Sequence, residues 1–235
     1  MAPRKQKIFG NPSDMIERLR ALENEDNQEG MRRFGIRPAT RLLGVSVTQI
    51  RSIGREYEKD HEVAAALWAS EIHEARILAG ILDEVDKVTA EQMDAWCDDF
   101  DAWDICDQTC LNLFDRTRYV EQKAYEWTQA SEEFVKRAGF VIMATSAVHN
   151  KQTADETFIA FLPTLVGGMN DDRNFVKKAV SWSFRQIGKR NAVLHDAVLE
   201  TVSPLAESDN KTTRWIAKDV CRELSDPKVI RRMQT

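Results

Sequence analysis

Trp103, Asp104 and Asp107 stand in a run unusually rich in aspartate, Asp98-Asp-Phe-Asp-Ala-Trp-Asp-Ile-Cys-Asp107. On a helix, Trp103 and Asp107 are four apart and share a face, and Asp104 and Asp107, three apart, are also neighbours. A carboxylate beside an indole face can stabilise an oxocarbenium-like sugar and orient a water against it. Those are the tasks of glycosidic-bond hydrolysis. Asp98, Asp99, Asp101 and Asp104 have a simpler reading, in which they cap or solvate a helix N-terminus where negative charge is favoured. Asp107 is expected to lie deeper and lacks that explanation.

Two later segments are basic. Phe134-Val-Lys-Arg-Ala138 carries Arg137, and the stretch from Arg173 to Asn191 holds Arg173, Lys177, Lys178, Arg185, Lys189 and Arg190 with no acidic residue between them. Arginine holds phosphate through a planar fork. Lys177, Arg185 and Lys189 can follow a polyanion backbone, each neutralised phosphate adding salt-sensitive affinity. The alternative is a solvated helix face. Trp182 lies within this basic run, where an indole can pack on a sugar or base. Trp68, Trp96, Trp127 and Trp215 read as packing residues.

The chain has 235 residues, 43% hydrophobic and 30% charged, with 10 Gly and 6 Pro. High charge with little punctuation favours helices joined by short turns. The net charge of −5 weighs against a generally nucleic-acid-binding surface, so local clustering has to carry any such role. Absence of an 18-residue apolar run, and a start (Met-Ala-Pro-Arg-Lys) without an apolar signal core, lead us to expect a cytoplasmic protein without a membrane partner. Cys97, Cys106, Cys110 and Cys221 are then reduced. Cys106 and Cys110 share a helix face but lack further ligands, so core packing is the reading. His61, His73, His149 and His195 show no metal-ligand spacing, and His73-Glu74 lacks the second histidine of a His-Glu-x-x-His site. No Gly-x-Gly-x-x-Gly, Walker loop or nucleophile elbow occurs, so neither metal nor nucleotide cofactor is expected.

Residues 1–12 read as a loose basic arm, and 13–235 as one domain. Pro12-Ser13-Asp14 offers a helix start, Glu23 to Glu29 an acidic turn, and Pro38 and Gly44 breaks; Ser46 caps a helix to about Tyr57. Thr89 with Gln92 reads as a capping box. Further helices are expected over Ala102–Asp115, Tyr119–Trp127, Ser131 to about Thr145, Thr153–Leu165, Asn174–Arg190, Val193–Leu205 and Asp209–Leu224. No segment alternates strictly, so a sheet is not expected. Ala75, Ala138, Ala179 and Ala217 occupy matching places in similar helices, 63, 41 and 38 residues apart, and the first gap has room for two units. A period of this length made of helix pairs predicts an all-α superhelix of HEAT-like repeats with a concave face. A helical bundle is the alternative.

Taken together, Gly30-Met-Arg-Arg-Phe-Gly-Ile36, Leu43-Gly-Val-Ser46, Leu67-Trp-Ala-Ser-Glu-Ile-His-Glu-Ala-Arg76, Trp103-Asp-Ile-Cys-Asp107, Phe134-Val-Lys-Arg-Ala138 and Phe175-Val-Lys-Lys-Ala-Val-Ser-Trp-Ser-Phe-Arg185 resemble the AlkD-like DNA alkylation repair family of HEAT-like repeat DNA glycosylases. The resemblance runs from about Gly30 to Leu224. It implies hydrolysis of the N-glycosidic bond of N3- and N7-alkylated purines in duplex DNA, without flipping the base. It places the catalytic aspartate at Asp107, cleft tryptophans at Trp103 and Trp182, and a phosphate-binding arginine at Arg137. Lys177, Lys178, Arg185, Lys189 and Arg190 become candidates for backbone contacts, and one cleft per chain suits a monomer. A cleft aromatic that is tyrosine in relatives falls roughly at Phe34, which lacks the hydroxyl. Other proteins on this fold bind unusual DNA without glycosylase activity. Non-catalytic binding of branched or distorted DNA is therefore the main alternative, and a protein-interaction scaffold the lesser one.

Overall fold

The computed structural model describes residues 7–233. They form two compact units, divided after Thr117. The first holds α1 (Pro12–Arg20), α2 (Glu25–Arg33), α3 (Val47–Gly54), α4 (His61–Trp68), α5 (His73–Leu82), α6 (Ala90–Asp98) and α7 (Trp103–Asn112). The second holds α8 (Val120–Thr128), α9 (Glu133–His149), α10 (Asp155–Gly168), α11 (Asn174–Gly188), α12 (Ala192–Val202), α13 (Lys211–Leu224) and α14 (Pro227–Met233). Only isolated bridges, Ile8–Tyr57 and Arg41–Ile72, join extended backbone among the described residues. No described helix is long and apolar enough to cross a membrane. Of the expected N-terminal arm, residues 1–6 lie outside the described residues, while Ile8 exchanges backbone hydrogen bonds with Glu56 and Glu58.

The helix starts follow local chemistry. Asn11 caps α1 ahead of Pro12, and Ser46 with Gln49 closes a full capping box on α3. The acidic stretch from Glu23 is not a turn but the start of α2. Asn24 accepts from Asn27 N, and Glu25 and Asp26 occupy the first turn, where their charge suits the helix dipole. At α6 only half of the expected box forms. Thr89 accepts from Gln92 N, but the Gln92 amide turns away to Asp83 Oδ2 at 2.7 Å. Helix α14 has no counterpart in the sequence reading.

The four aligned alanines each lie at a fully buried position, on α5, α9, α11 and α13. In the first unit α5 packs against α3, α4 and α7; in the second α9 packs against α8 and α11, and α11 against α13. A small residue at the shared position is what lets these helices approach. At Gly139 α9 runs hard against the end of α8, since a Cβ there would lie 2.6 Å from Thr128 N. Phe140, Phe158, Phe161 and Phe184 fill the second core, each contributing roughly 1.5–3 kcal/mol by burial. Trp68 stacks on Trp96 at 4.0 Å between centroids. Cys97, Cys106 and Cys110 are buried as packing residues, and burial beside Cys106 pushes the Cys110 thiol well above its ordinary range.

Candidate active site and nucleic-acid surface

Helix α7 brings Trp103 and Asp107 onto one face, both half-buried. Its buried stripe is Asp104, Ile105, Cys106, Thr109 and Cys110, so Asp107 is off the stripe and partly exposed. The expectation that Asp107 is the deeper carboxylate is thereby reversed; Asp104 is. Trp103 Nε1 donates to the Phe34 carbonyl at 3.1 Å, which fixes the indole at the first turn. Phe34 itself is 79% exposed. Phe34, Met31, Ile36, Gly44, Ser46 and Trp103 line an open groove of about 480 Å³.

The other aspartates of the cluster do not cap α7. Ala102 is the N-cap and no side chain bonds there. Asp99 accepts from Trp68 Nε1 at 2.7 Å, and Asp101 accepts from the Ala39 and Thr40 amides at 2.8 and 3.4 Å. Asp98 is exposed in the last turn of α6. Asp104 Oδ2 lies 2.8 Å from Nε2 of His73, both side chains being nearly inaccessible. This pair ties α7 to α5 behind the Trp103–Asp107 face. His73 Nδ1 and Asp104 Oδ1 are buried without a hydrogen-bond partner. The pair escaped the sequence reading because its members lie 31 residues apart.

Burial, the largest influence on His73, pulls its pKa down. The hydrogen bond and charge of Asp104, helped by Glu74 and Asp101, outweigh it and raise the value above 6.5. A raised histidine pKa stabilises the fold fully below the unfolded value, and that stabilisation disappears as pH climbs through the folded one. We therefore expect the thermal midpoint of the wild type to fall on going above about pH 6.5. In His73→Asn that segment of the pH profile should flatten. Melts across pH 5.5–9, followed by circular dichroism, check this; parallel profiles for the two proteins would refute it.

In the second unit, α11 carries Lys178, Trp182, Arg185 and Lys189 at helical spacing on one face. Trp182 is half-buried. With the Gln186 amide turned so that its oxygen meets both donors, it accepts from Trp182 Nε1 at 2.8 Å and from Lys189 Nζ at 3.1 Å. Lys177 Nζ lies 5.4 Å from the Trp215 ring centroid. Trp215 is 43% exposed, so it is a surface residue and not the packing residue expected. Lys178 is exposed.

The remaining cations have partners inside the protein. Arg185 bonds Glu223, and Lys189 reaches the other Glu223 oxygen at 2.7 Å. Burial pushes the Glu223 carboxyl up, but the Lys189 and Arg185 hydrogen bonds win and hold it below the usual carboxylate range. Arg190 donates to the carbonyls of Ala147, Asn150, Lys151 and Thr153 and lies 4.6 Å over the Phe158 ring. Arg137 is 5% exposed and donates to the Phe175 carbonyl. Among the described residues no group of three or more His, Cys, Asp or Glu side chains is placed to hold a metal ion.

A solved structure described as "A new family of proteins related to the HEAT-like repeat DNA glycosylases with affinity for branched DNA structures" is similar to this chain, with a TM-score of 0.74, 16% identity, and coverage of 91% of this chain and 95% of that one. The fold is accordingly an all-α array of HEAT-like helical repeats, as the alanine spacing indicated. The model of the DNA alkylation repair enzyme family matches residues 15–224, and the chain belongs to that family. A search of curated protein sequences found no match.

Proposed function

We propose that the protein is a DNA glycosylase that hydrolyses the N-glycosidic bond of cationic N3- and N7-alkylated purines in duplex DNA. The observation that carries this reading is the Trp103–Asp107 face of α7, partly exposed and braced from behind by His73–Asp104, in a chain of the DNA alkylation repair family. The alkylated purine already bears positive charge, so it leaves without prior protonation. As the bond to C1′ breaks, its electron pair neutralises the purinium and charge moves to the sugar. Asp107 stabilises that charge and orients a water whose oxygen bonds C1′; the water's proton passes to Asp107 and then to solvent. Trp103 packs against the deoxyribose; on the second unit Trp182 is the candidate for a sugar contact, and Arg137 for a phosphate contact that requires its guanidinium to leave the Phe175 carbonyl. Among the cations from Lys177 to Arg190, Lys177 and Lys178 are the stronger backbone contacts, because Arg185, Lys189 and Arg190 already hold carboxylate or carbonyl partners.

The test is release of free base from duplex DNA carrying N7-methylguanine, under single-turnover conditions with enzyme in excess. Release above the spontaneous rate is expected. Salt-dependent binding without release, from this substrate and from N3-methyladenine, would overturn the assignment. It would favour a second reading, shape-selective binding of branched DNA, in keeping with the affinity for branched DNA ascribed to the structurally similar family.

A further inference from the structure

We propose a second strand-binding site on the first unit: a phosphate subsite formed by Arg51 and Arg55 of α3 beside the helix that carries Asp107. It rests on the reading of the protein as a duplex-DNA-binding enzyme. Thr48, Arg51 and Arg55 recur at three- and four-residue spacing and so share one face of α3. With Ile81 of α5 and Asn112 of α7 they line a groove of about 390 Å³. No carboxylate is among these lining residues.

What marks the two arginines is their place together in one groove with no carboxylate in its lining. In a chain of net charge −5, many arginines are held by carboxylates: Arg18 by Glu56, Arg33 by Glu29, Arg41 by Glu23, Arg173 by Asp171, Arg185 by Glu223. Arg51 and Arg55 form no ion pair among the described residues. Arg51 gives one hydrogen to Gln108 Oε1 at 3.1 Å, and Arg55 gives its Nε hydrogen to the Arg51 carbonyl at 3.2 Å. Those contacts orient the two forks without neutralising them. Two uncompensated guanidinium groups in a carboxylate-free groove concentrate positive potential in an otherwise acidic surface, and each presents a planar pair of donors matched to phosphate.

Gln108 fixes where that phosphate lies. It follows Asp107 directly on α7, and Asn112 Nδ2 donates to the Gln108 carbonyl at 2.6 Å. The Gln108–Asn112 edge of α7 begins one residue after Asp107, ~1.5 Å further along the axis and about 100° round the helix from the Trp103–Asp107 face. A strand whose sugar meets Asp107 has its neighbouring phosphates within reach of this groove. The subsite would set the register of the damaged strand against the carboxylate, which point charges on α11 alone do not do.

Duplex affinity measured over a salt series tests the proposal, in the Asp107→Asn background so that no base is lost. Loss of two phosphate contacts in Arg51→Ala/Arg55→Ala should reduce the slope of log K against log salt by about 2 and weaken low-salt binding at least about tenfold. Arg51→Lys/Arg55→Lys, which keeps both charges, should restore the slope. Arg18→Ala/Arg222→Ala removes the same charge from carboxylate-paired positions and should leave the slope unchanged. An unchanged slope in the Arg51/Arg55 double alanine variant, with duplex binding intact, overturns the subsite while the reading beneath it survives. An equal drop in the Arg18/Arg222 variant also overturns it, by showing a general charge effect. Competition by inorganic phosphate beyond that of chloride at matched ionic strength would make it a free-phosphate site instead. A wild type that binds no duplex overturns both the subsite and the reading.

Discussion

Asp107→Asn protein should bind alkylated duplex DNA as tightly as the wild type and release base at close to the spontaneous rate. The side chains are nearly isosteric, and Asp107 lies outside the buried stripe of α7, so folding should be little affected. What is removed is a full negative charge opposite a developing sugar cation. At about 4 Å and an effective dielectric of about 20, that attraction is worth roughly 4 kcal/mol. Not all of it is differential between ground and transition states, because the purinium is cationic at the start. A fall of about a hundredfold to a thousandfold in the single-turnover constant is therefore the expected range.

Binding has to be followed in the same experiment. Asparagine leaves the backbone contacts untouched, so the loss should appear in the chemical step with Kd unchanged or slightly improved, since a carboxylate near phosphates is repulsive. If the variant instead keeps wild-type release, Asp107 has no part in the chemistry, even in a chain of this family. A proportional fall in binding and release would point to a disturbed α7, and a comparison of melting profiles would reveal that directly.

The fold was legible where the information is local. Helix starts announce themselves through Asn, Ser and Asp caps, and the alanines at 75, 138, 179 and 217 mark the repeat because a small residue is needed wherever helices cross closely. The Glu23–Glu29 segment was misread because acidic residues suit a turn and a helix N-terminus equally; only the Asn24 cap separates the two. Trp215 was legible in principle. The buried stripe of α13 is Thr213, Ile216, Ala217, Val220 and Leu224, and position 215 is off it. What was not legible was pairing over distance. Arg185 and Lys189 read as surface cations, yet Glu223 lies 38 and 34 residues away from them in sequence. The His73–Asp104 pair was hidden in the same way, as were the amide partners of Asp101. The candidate site was thus readable as residue types on a helix face, while the contacts that brace it required the tertiary structure.

Glu74 shows how much such a hidden contact carries, and it leads to the largest stability effect we expect. Its carboxylate is fully buried and accepts from the backbone of one tight loop. Oε1 takes the amides of Gly44 at 2.6 Å and Val45 at 3.2 Å, and Oε2 that of Leu43 at 2.9 Å. The loop can present three successive amides only because Gly44 adopts φ +80°, and a Cβ there would also sit 2.3 Å from the Asn24 carbonyl. In Glu74→Ala these buried donors lose their acceptor, at about 1–3 kcal/mol each. Even with partial relaxation a loss of roughly 3–5 kcal/mol should follow, a large share of the ~5–15 kcal/mol typical of a domain. Glu74→Gln keeps one oxygen and the volume but gives up the charge, and should lose less, about 1.5–3 kcal/mol. Urea titration of the three proteins gives the order wild type, Gln, Ala. A loss below about 1 kcal/mol in Glu74→Ala would mean that the loop holds its shape without the carboxylate. The consequence extends beyond stability, because the same loop supplies Gly44 and Ser46 to the groove beside Trp103 and Ser46 caps α3, the helix bearing Arg51 and Arg55. One buried carboxylate on α5 therefore positions both the groove beside the candidate catalytic face and the helix of the proposed phosphate subsite, while its neighbour His73 braces α7 from the same turn.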